Sequence, residues 1–447
     1  MARTNRITYG QTLVLASPRP ANQSNENNLT GLKRMQSANV DFSFNRQRFK
    51  QIGSADFVGD VNITNPNITL GMDYLYSNGT NEVMLGLNVE GRNSTVLSGL
   101  RKPNQDNNYY VLVGSGLKDE VLLTSSDTHF QNNFTVIALG NCFLNSYSIN
   151  GSVGSLVSVS AEVQADNLEL HPYTTGHGIP AISQSTKLPD TQYAYKVKKA
   201  FFKDTTNQDG LIDSALAPSG IKITVPSNVN VPGLEFTGTN RSAFINSFGL
   251  DFSIDRNALY GFGTIYPYGR RAILPVLGSL SFTALASEFQ SGTLNDLVRL
   301  DENNERVYNF TLDLLGASGN TGLQMEIEGA RMDAEGFSPS LGDNAEMQAS
   351  FSFSMSDTSG VKFSTPPLIL NQPQDVSGPT GPLSIVATGK HDLFYQWYNT
   401  TGSIAGAESS TFVPSFYGED YYCVVSNDLG SSTSNSATFV APTEETE

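Results

Sequence analysis

The sequence predicts a mainly β chain in which one domain occurs twice and a different β-sandwich follows. Three observations predict it. First, Val40-Asp41-Phe42-Ser43-Phe44-Asn45-Arg46 returns almost unchanged as Leu250-Asp251-Phe252-Ser253-Ile254-Asp255-Arg256, at an offset of 251 − 41 = 210 residues. Second, apolar and polar residues alternate through both copies, the period of a strand with one buried face. Third, residues 366–447 change character: they hold one Lys, no Arg and nine Asp plus Glu.

Collinear matches extend the repeat. Ile68-Thr69-Leu70 aligns with Leu280-Ser281-Phe282, and Thr80 with Thr293. Tyr109–Val113 aligns with Val307–Thr311, Gly140 with Gly329, and Val159–Val163 with Met347–Phe351. Asp41, Phe42 and Arg46 are therefore expected to occupy the same structural positions as Asp251, Phe252 and Arg256.

In chain order, Thr12–Ala16 is the expected first strand, and 18–28 a polar, proline-broken loop. The first repeat strand is 39–44. Arg46, Arg48 and Lys50 read either as a solvated strand end or as a contact with a neighbouring subunit. Residues 54–76 read as strand, turn, strand. Thr80-Asn81-Glu82-Val83-Met84 starts a short helix. In the second copy the same place, Thr293-Leu294-Asn295-Asp296, resembles a capping box, with Leu294, Leu297 and Val298 on one face. The first copy closes with strand 133–139, a loop, and strand 156–163. Residues 171–192 read as a connector rich in Gly, Thr and Pro. Tyr195–Phe202 is the expected opening strand of the second copy, its Lys196, Lys198 and Lys199 guarding an edge or facing a partner. The boundaries are then 1–170 and 193–356 for the two copies, 357–367 for a linker, and 368–447 for the C-terminal module.

That module resembles an immunoglobulin-like domain of the bacterial and phage kind. Leu383–Gly389, Tyr395-Gln396-Trp397-Tyr398 and Tyr421-Tyr422-Cys423 carry the likeness. The resemblance implies that Trp397 packs between two sheets against Ile385 and Cys423, and that the Tyr421 hydroxyl ties a corner. Ile385 stands where the first cysteine of such domains belongs, so Cys423 should be a buried free thiol. Gly418 sits one place earlier than the usual corner glycine.

Composition narrows the function. The chain has 447 residues, enough for two or three domains, and a net charge of −16. An acidic chain argues against a surface that grips nucleic acid. No apolar run reaches the roughly 20 residues that span a bilayer as a helix. Met1-Ala2-Arg3-Thr4-Asn5-Arg6 carries charge with no apolar core behind it, so no secretory signal is expected. Cys142 and Cys423 fall in different domains, which fits cytoplasmic assembly. No nucleophile elbow, phosphate loop or Cys-x-x-Cys pair is present. His171 and His177 share a loop but lack a nearby carboxylate for a metal. Residues 207–213 resemble part of a calcium loop, yet Thr205 and Leu216 stand where the first and closing ligands belong, so a turn is read there. Asp301-Glu302 reads as a solvated turn. Catalytic residues, metals and cofactors are not expected; a polysaccharide hydrolase would need a cleft with two facing acids, and no spacing points to one.

The tandem repeat followed by an immunoglobulin-like module resembles the major tail tube proteins of long, flexible-tailed (siphovirus-type) phages. Leu32–Phe44 resembles the early strand of their tube domains. Ser146–Ile149 leading to Leu156–Ser160 resembles their closing hairpin. The resemblance implies two tube-type β-sandwiches, each with a flanking helix, whose inner sheets join those of neighbours into one barrel. A duplicated chain would close a pseudo-sixfold ring as a homotrimer, and stacked rings would conduct DNA through a neutral or acidic lumen with few basic side chains. Implied partners are other copies of the chain, the tape measure, tail tip and terminator proteins, and DNA passing non-specifically. The implied location is the virion tail, after assembly in the host cytoplasm. The module would project outward and either bind cell-surface glycans weakly or be dispensable. The alternative is a virion or cell-surface adhesin presenting that module.

Overall fold

The structure is a computed structural model. It describes residues 12–17, 30–62, 66–92, 94–100, 107–114, 134–172, 179–182, 189–195, 216–224, 242–243, 245–259, 267, 269–285, 307–316, 320–338, 346–356, 358–377 and 381–440.

The chain is mainly β. The first copy contributes β1 (Thr12–Ser17), β2 (Thr30–Gly31), β3 (Met35–Ser43), β4 (Arg46–Lys50), β5 (Phe57–Asn62), β6 (Asn67–Leu75), β7 (Asn107–Gly114), β8 (Phe134–Ser152), β9 (Ser158–Ala165) and β10 (Asn167–Pro172). A hairpin of β11 (Ile179–Ile182) and β12 (Pro189–Tyr195) follows. The second copy contributes β13 (Leu216–Thr224), β14 (Ser242–Ala243), β15 (Ile245–Ser253), β16 (Arg256–Leu259), β17 (Gly269–Ala272), β18 (Val276–Leu285), β19 (Tyr308–Gly316), β20 (Thr321–Ser338), β21 (Glu346–Met355) and β22 (Val361–Ser364).

Both copies pair in the same order. An inner sheet runs β3-β6-β9-β8 in the first copy and β15-β18-β21-β20 in the second. In the outer layer β7 lies between β1 and β8, with β10 beyond, and β19 lies between β13 and β20, with β22 beyond. The halves are not separate bodies. β8 pairs with β15 over seven residues, from Ser146↔Ser253 to Ser152↔Ser247, so the inner sheet is one antiparallel ladder of eight strands. A single apolar core underlies both halves, including Leu70, Ile149, Leu250 and Phe351.

β8 and β20 each serve both layers. Their first halves pair in the outer layer and their second halves in the inner sheet. The change of layer falls at residues of positive φ, Asn141 (51°) and Gly329 (77°). Asn and Gly are the residues that tolerate this conformation at least cost. Further on, both strands carry a bulge at matching places, between Leu144 and Ser146 and between Met332 and Ala334. Such bulges bend and re-aim a strand.

Register corrects several sequence matches. With Val40 on Leu250, the ladders place Leu70 on Leu280 and Val163 on Phe351. The Val159–Met347 alignment therefore holds, whereas the Ile68–Leu280 alignment is two residues out. Tyr109 corresponds to Phe310, three residues from the expected match, and Gly329 to Asn141 rather than Gly140. The loop expected within 140–155 is largely the continuous strand β8. The connector contains β11 and part of β12, and register makes β13, not 195–202, the counterpart of β1. Val361–Ser364, expected as linker, is a fully buried strand on β20. Lys196, Lys198, Lys199, residues 205–213, the second-copy helix at 293–298 and Asp301-Glu302 lie outside the described residues.

The short helix α1 (Thr80–Met84) starts where expected. Gly79 precedes it at φ 85°, and Asn78 Oδ1 accepts from Thr80 N at 3.3 Å. Asn81 exchanges two hydrogen bonds with the Lys33 backbone, at 2.9 and 2.8 Å, pinning the helix to the segment that leads into β3. Glu82 points into the core, where Tyr74 and Tyr147 donate to it at 2.8 and 3.2 Å.

Candidate functional site: the polar face of the inner sheet

Side chains alternate across a strand, so an eight-stranded ladder with one buried face displays the other as a continuous surface. The buried side of β6 is Ile68, Leu70, Met72 and Tyr74. The opposite side is almost free of large apolar groups. One register row crosses all eight strands: Ser37, Asp73, Ser160 and Ser148 in the first copy, then Asp251, Ser279, Ser352 and Arg331 in the second. Neighbouring rows add Asn39, Asn150, Ser281 and Gln348. Among the described residues Leu75, Phe143 and Leu277 are the large apolar exceptions, and Leu277 is the exposed one.

The charge on this face is lopsided. Asp41, Asp73, Glu162, Asp251, Asp333 and Glu346 carry carboxylates, and among the described strand residues of the face Arg331 is the one base. Serine hydroxyls hold several of these acids. Ser37 and Ser160 donate to the two oxygens of Asp73, each at 2.6 Å. Ser279 donates to Asp251, and Ser352 to Asp333 at 2.8 Å. The bonds from Ser160 and Ser37 keep the Asp73 carboxyl below its usual range, because they favour the charged form. Two open hollows lie on the face, one beside Asn150 and Gly249, the other beside Asp73 and Ser279. A surface of hydroxyls and fixed negative charge is wettable and repels phosphate.

The seam between the copies crosses this surface. On its buried side Phe252 stacks on Tyr147, with ring centroids 5.5 Å apart. At one rim the β16–β17 hairpin of the second copy reaches over the first. Arg270 Nε donates to Asp166 Oδ1 and Arg270 Nη1 to Gln164 Oε1, both at 2.8 Å. Both members of the ion pair are buried, at 7% and 0% side-chain exposure. Arg256 donates to Leu144 O at 3.3 Å and lies 5.2 Å over the Phe143 ring. Burial first, and the neighbouring Arg270 second, push Arg256 down to about 10. No sequence signal pointed to this clamp.

The expected repeat positions occupy matching places with unlike surroundings. Asp41 and Asp251 both lie on the polar face. Phe252 is 3% exposed at the seam, while Phe42 is 60% exposed on the free edge of β3. Arg256 is partly buried, and Arg46 is exposed beside Asp60 at 3.7 Å.

In the C-terminal module Ile385, Trp397, Tyr421 and Cys423 lie in one buried cluster. Trp397 Nε1 donates to Ser409 O at 2.8 Å, and the Tyr421 hydroxyl donates to Phe416 O at 3.2 Å. Cys423 is a buried free thiol, pushed up to about 11 by desolvation. The module meets the outer layer, not the polar face: His391 N donates to Glu90 O at 3.3 Å, and Lys390 Nζ to Gln324 at 3.0 Å. Among the described residues no His, Cys, Asp and Glu group is placed to hold a metal.

No family model matches the chain, and no curated protein matches it. Solved structures similar to parts of it include the anti-feeding prophage cap (AFP tube terminating cap). That chain is 11% identical with a TM-score of 0.22, covering 33% of this chain and 88% of its own. A chain from the virion of a native gene transfer agent particle is 8% identical with a TM-score of 0.20, covering 33% of this chain and 97% of its own. The tandem immunoglobulin repeats of Dlar are 11% identical with a TM-score of 0.16, covering 30% and 88%. Likenesses this slight carry no argument about function.

Proposed function

We propose that this chain is a structural subunit of a virion tail tube, in which three copies close a ring and stacked rings conduct DNA. The observation that carries the reading is the seam between β8 and β15. It joins two like four-stranded halves edge to edge, and the chain ends in two edges of the same kinds. β3 is the counterpart of β15, and the second half of β20 is the counterpart of the second half of β8. Repeating the internal register would set Val40 opposite Phe337 of a second copy. Exposed, edge-paired sheets are a liability that barrel closure removes. The heterologous contact between β20 and β3 closes into a ring when the rotation fits.

Strand number supports three copies. About 24 strands, spaced about 4.8 Å and tilted about 40°, close a wall roughly 48 Å across between backbones. Two copies would give roughly 32 Å, which side chains narrow to roughly 20 Å. In either ring the polar face would line the bore. A lining of carboxylates and hydroxyls offers DNA no counterion-releasing grip, so the polymer stays mobile. The module, on the outer-layer side, would face outward, free to meet weakly bound surface glycans or nothing. Tape measure, tail tip and terminator proteins would complete such a tail.

Electron microscopy and native mass measurement of the purified full chain test the reading. Rings or tubes built from three-chain units are expected; discrete monomers or unstacked fibres at high concentration would overturn it.

A further inference from the structure

The hairpins at the two rims are counterparts with opposite circumstances. Register places Arg46 on Arg256 and Asp60 on Arg270. The β16–β17 hairpin grips the first copy through Arg270, Asp166, Gln164 and Leu144. Every residue of β4 is exposed, and nearly all of β5. Phe44 is 48% exposed, while its counterpart Ile254 is 3% exposed and donates its N–H to Asn145 O at 2.6 Å. Phe49, Ile52, Phe57 and Val61 stand in solvent along the same arm. Arg48 and Lys50 lie over the Phe57 ring.

Resting on the ring reading, we propose that the β4–β5 hairpin is an arm that clamps the second half of the adjacent copy of this chain. It would cover the surface formed by Arg331, Met332, Ser352 and Ser354. These are the counterparts of Phe143, Leu144, Gln164 and Asp166, the residues beneath the internal clamp. The occupant is a second copy because the same chain already makes the equivalent contact within itself. The polarity is reversed. Inside the chain the hairpin supplies the cation, Arg270, and the body the anion, Asp166. Between chains the hairpin supplies Asp60, 3.7 Å from its own Arg46, and the body supplies Arg331, which stands opposite Ser352, the Gln164 counterpart, while Ser354 holds the Asp166 position. This reversal keeps the two seams from exchanging partners, since each would bring like charges or an unpaired charge into the wrong seam.

The test uses the full chain and two cysteine pairs. Asp60→Cys with Ser354→Cys reports the clamp; Asn39→Cys with Ser338→Cys reports the strand seam. Under mild oxidation the clamp pair should give an intermolecular covalent ladder. Asp60→Arg should weaken assembly about tenfold, and Arg331→Asp in the same chain should restore it. A seam ladder with no clamp ladder, and assembly indifferent to Asp60→Arg, overturns the clamp and leaves the ring intact. Absence of both ladders overturns the ring reading itself, and the clamp with it.

Discussion

Phe252 of the second copy stacks on Tyr147 of the first, ring centroids 5.5 Å apart, across the strand pair that joins the two halves. Its repeat counterpart Phe42 lies on an open edge. The same residue type in the same local sequence should therefore do two different jobs. Phe252→Ala should destabilise the isolated chain by about 3–5 kcal/mol, the usual cost of emptying a buried phenylalanine site. Phe42→Ala should change monomer stability by about 0.5 kcal/mol or less and impair assembly instead. Urea unfolding in dilute solution and sedimentation at high concentration separate the two effects.

Glu82 gives a pH signature. Burial raises its carboxyl from 4.5 to about 7 in the folded chain, against the smaller opposing effect of the Tyr74 hydrogen bond. The unfolded chain therefore loses this proton first as pH rises. Stability from the site is complete below pH 4.5 and is lost as pH climbs to about 7. The deficit above that pH is about 3 kcal/mol. Glu82→Gln keeps an acceptor for both tyrosines and cannot ionise. It should raise the unfolding midpoint at pH 8 and leave it nearly unchanged at pH 4.

The polar face makes a prediction about DNA. Replacing Glu162 and Asp251 by lysine puts cations on adjoining rows of an exposed surface and should leave the fold intact. Assemblies of that variant should retain DNA with an affinity that falls steeply with salt, while the unaltered protein retains none at physiological ionic strength. Filter binding over a salt series measures this.

Two quiet thiols are expected, one in the first copy and one in the C-terminal module. Cys142 and Cys423 are both buried, and Cys423 is held protonated well above neutral pH. Neither should react with a thiol reagent at pH 8 until the chain unfolds. Tyr421→Phe removes the corner hydrogen bond to Phe416 and should cost about 1 kcal/mol.

Much of this was legible in the sequence, and the gaps have physical causes. Alternation in Leu250–Arg256 and the Trp397–Tyr421–Cys423 spacing mark half-buried strands and a sandwich core without ambiguity. Register was less legible. A shift of two residues leaves a period-two pattern unchanged, which is why the sequence pattern sets Ile68–Leu70 two places out of register. Tyr109–Leu112 is buried on both faces, so its pattern has no phase to read. Gly140-Asn141 resembles a strand break but is a left-handed kink inside a continuous ladder. The Arg270–Asp166 clamp was illegible because its partners lie 104 residues apart and only the β8–β15 pairing brings them together.

The most direct test of the central claim is the seam cross-link. In the chain carrying Asn39→Cys and Ser338→Cys, assembled and then mildly oxidised, a closed three-chain ring predicts covalent species of one, two and three chains, with the three-chain circle dominant. A ladder running past three without a limit, or no intermolecular bond in protein that still assembles, would contradict it.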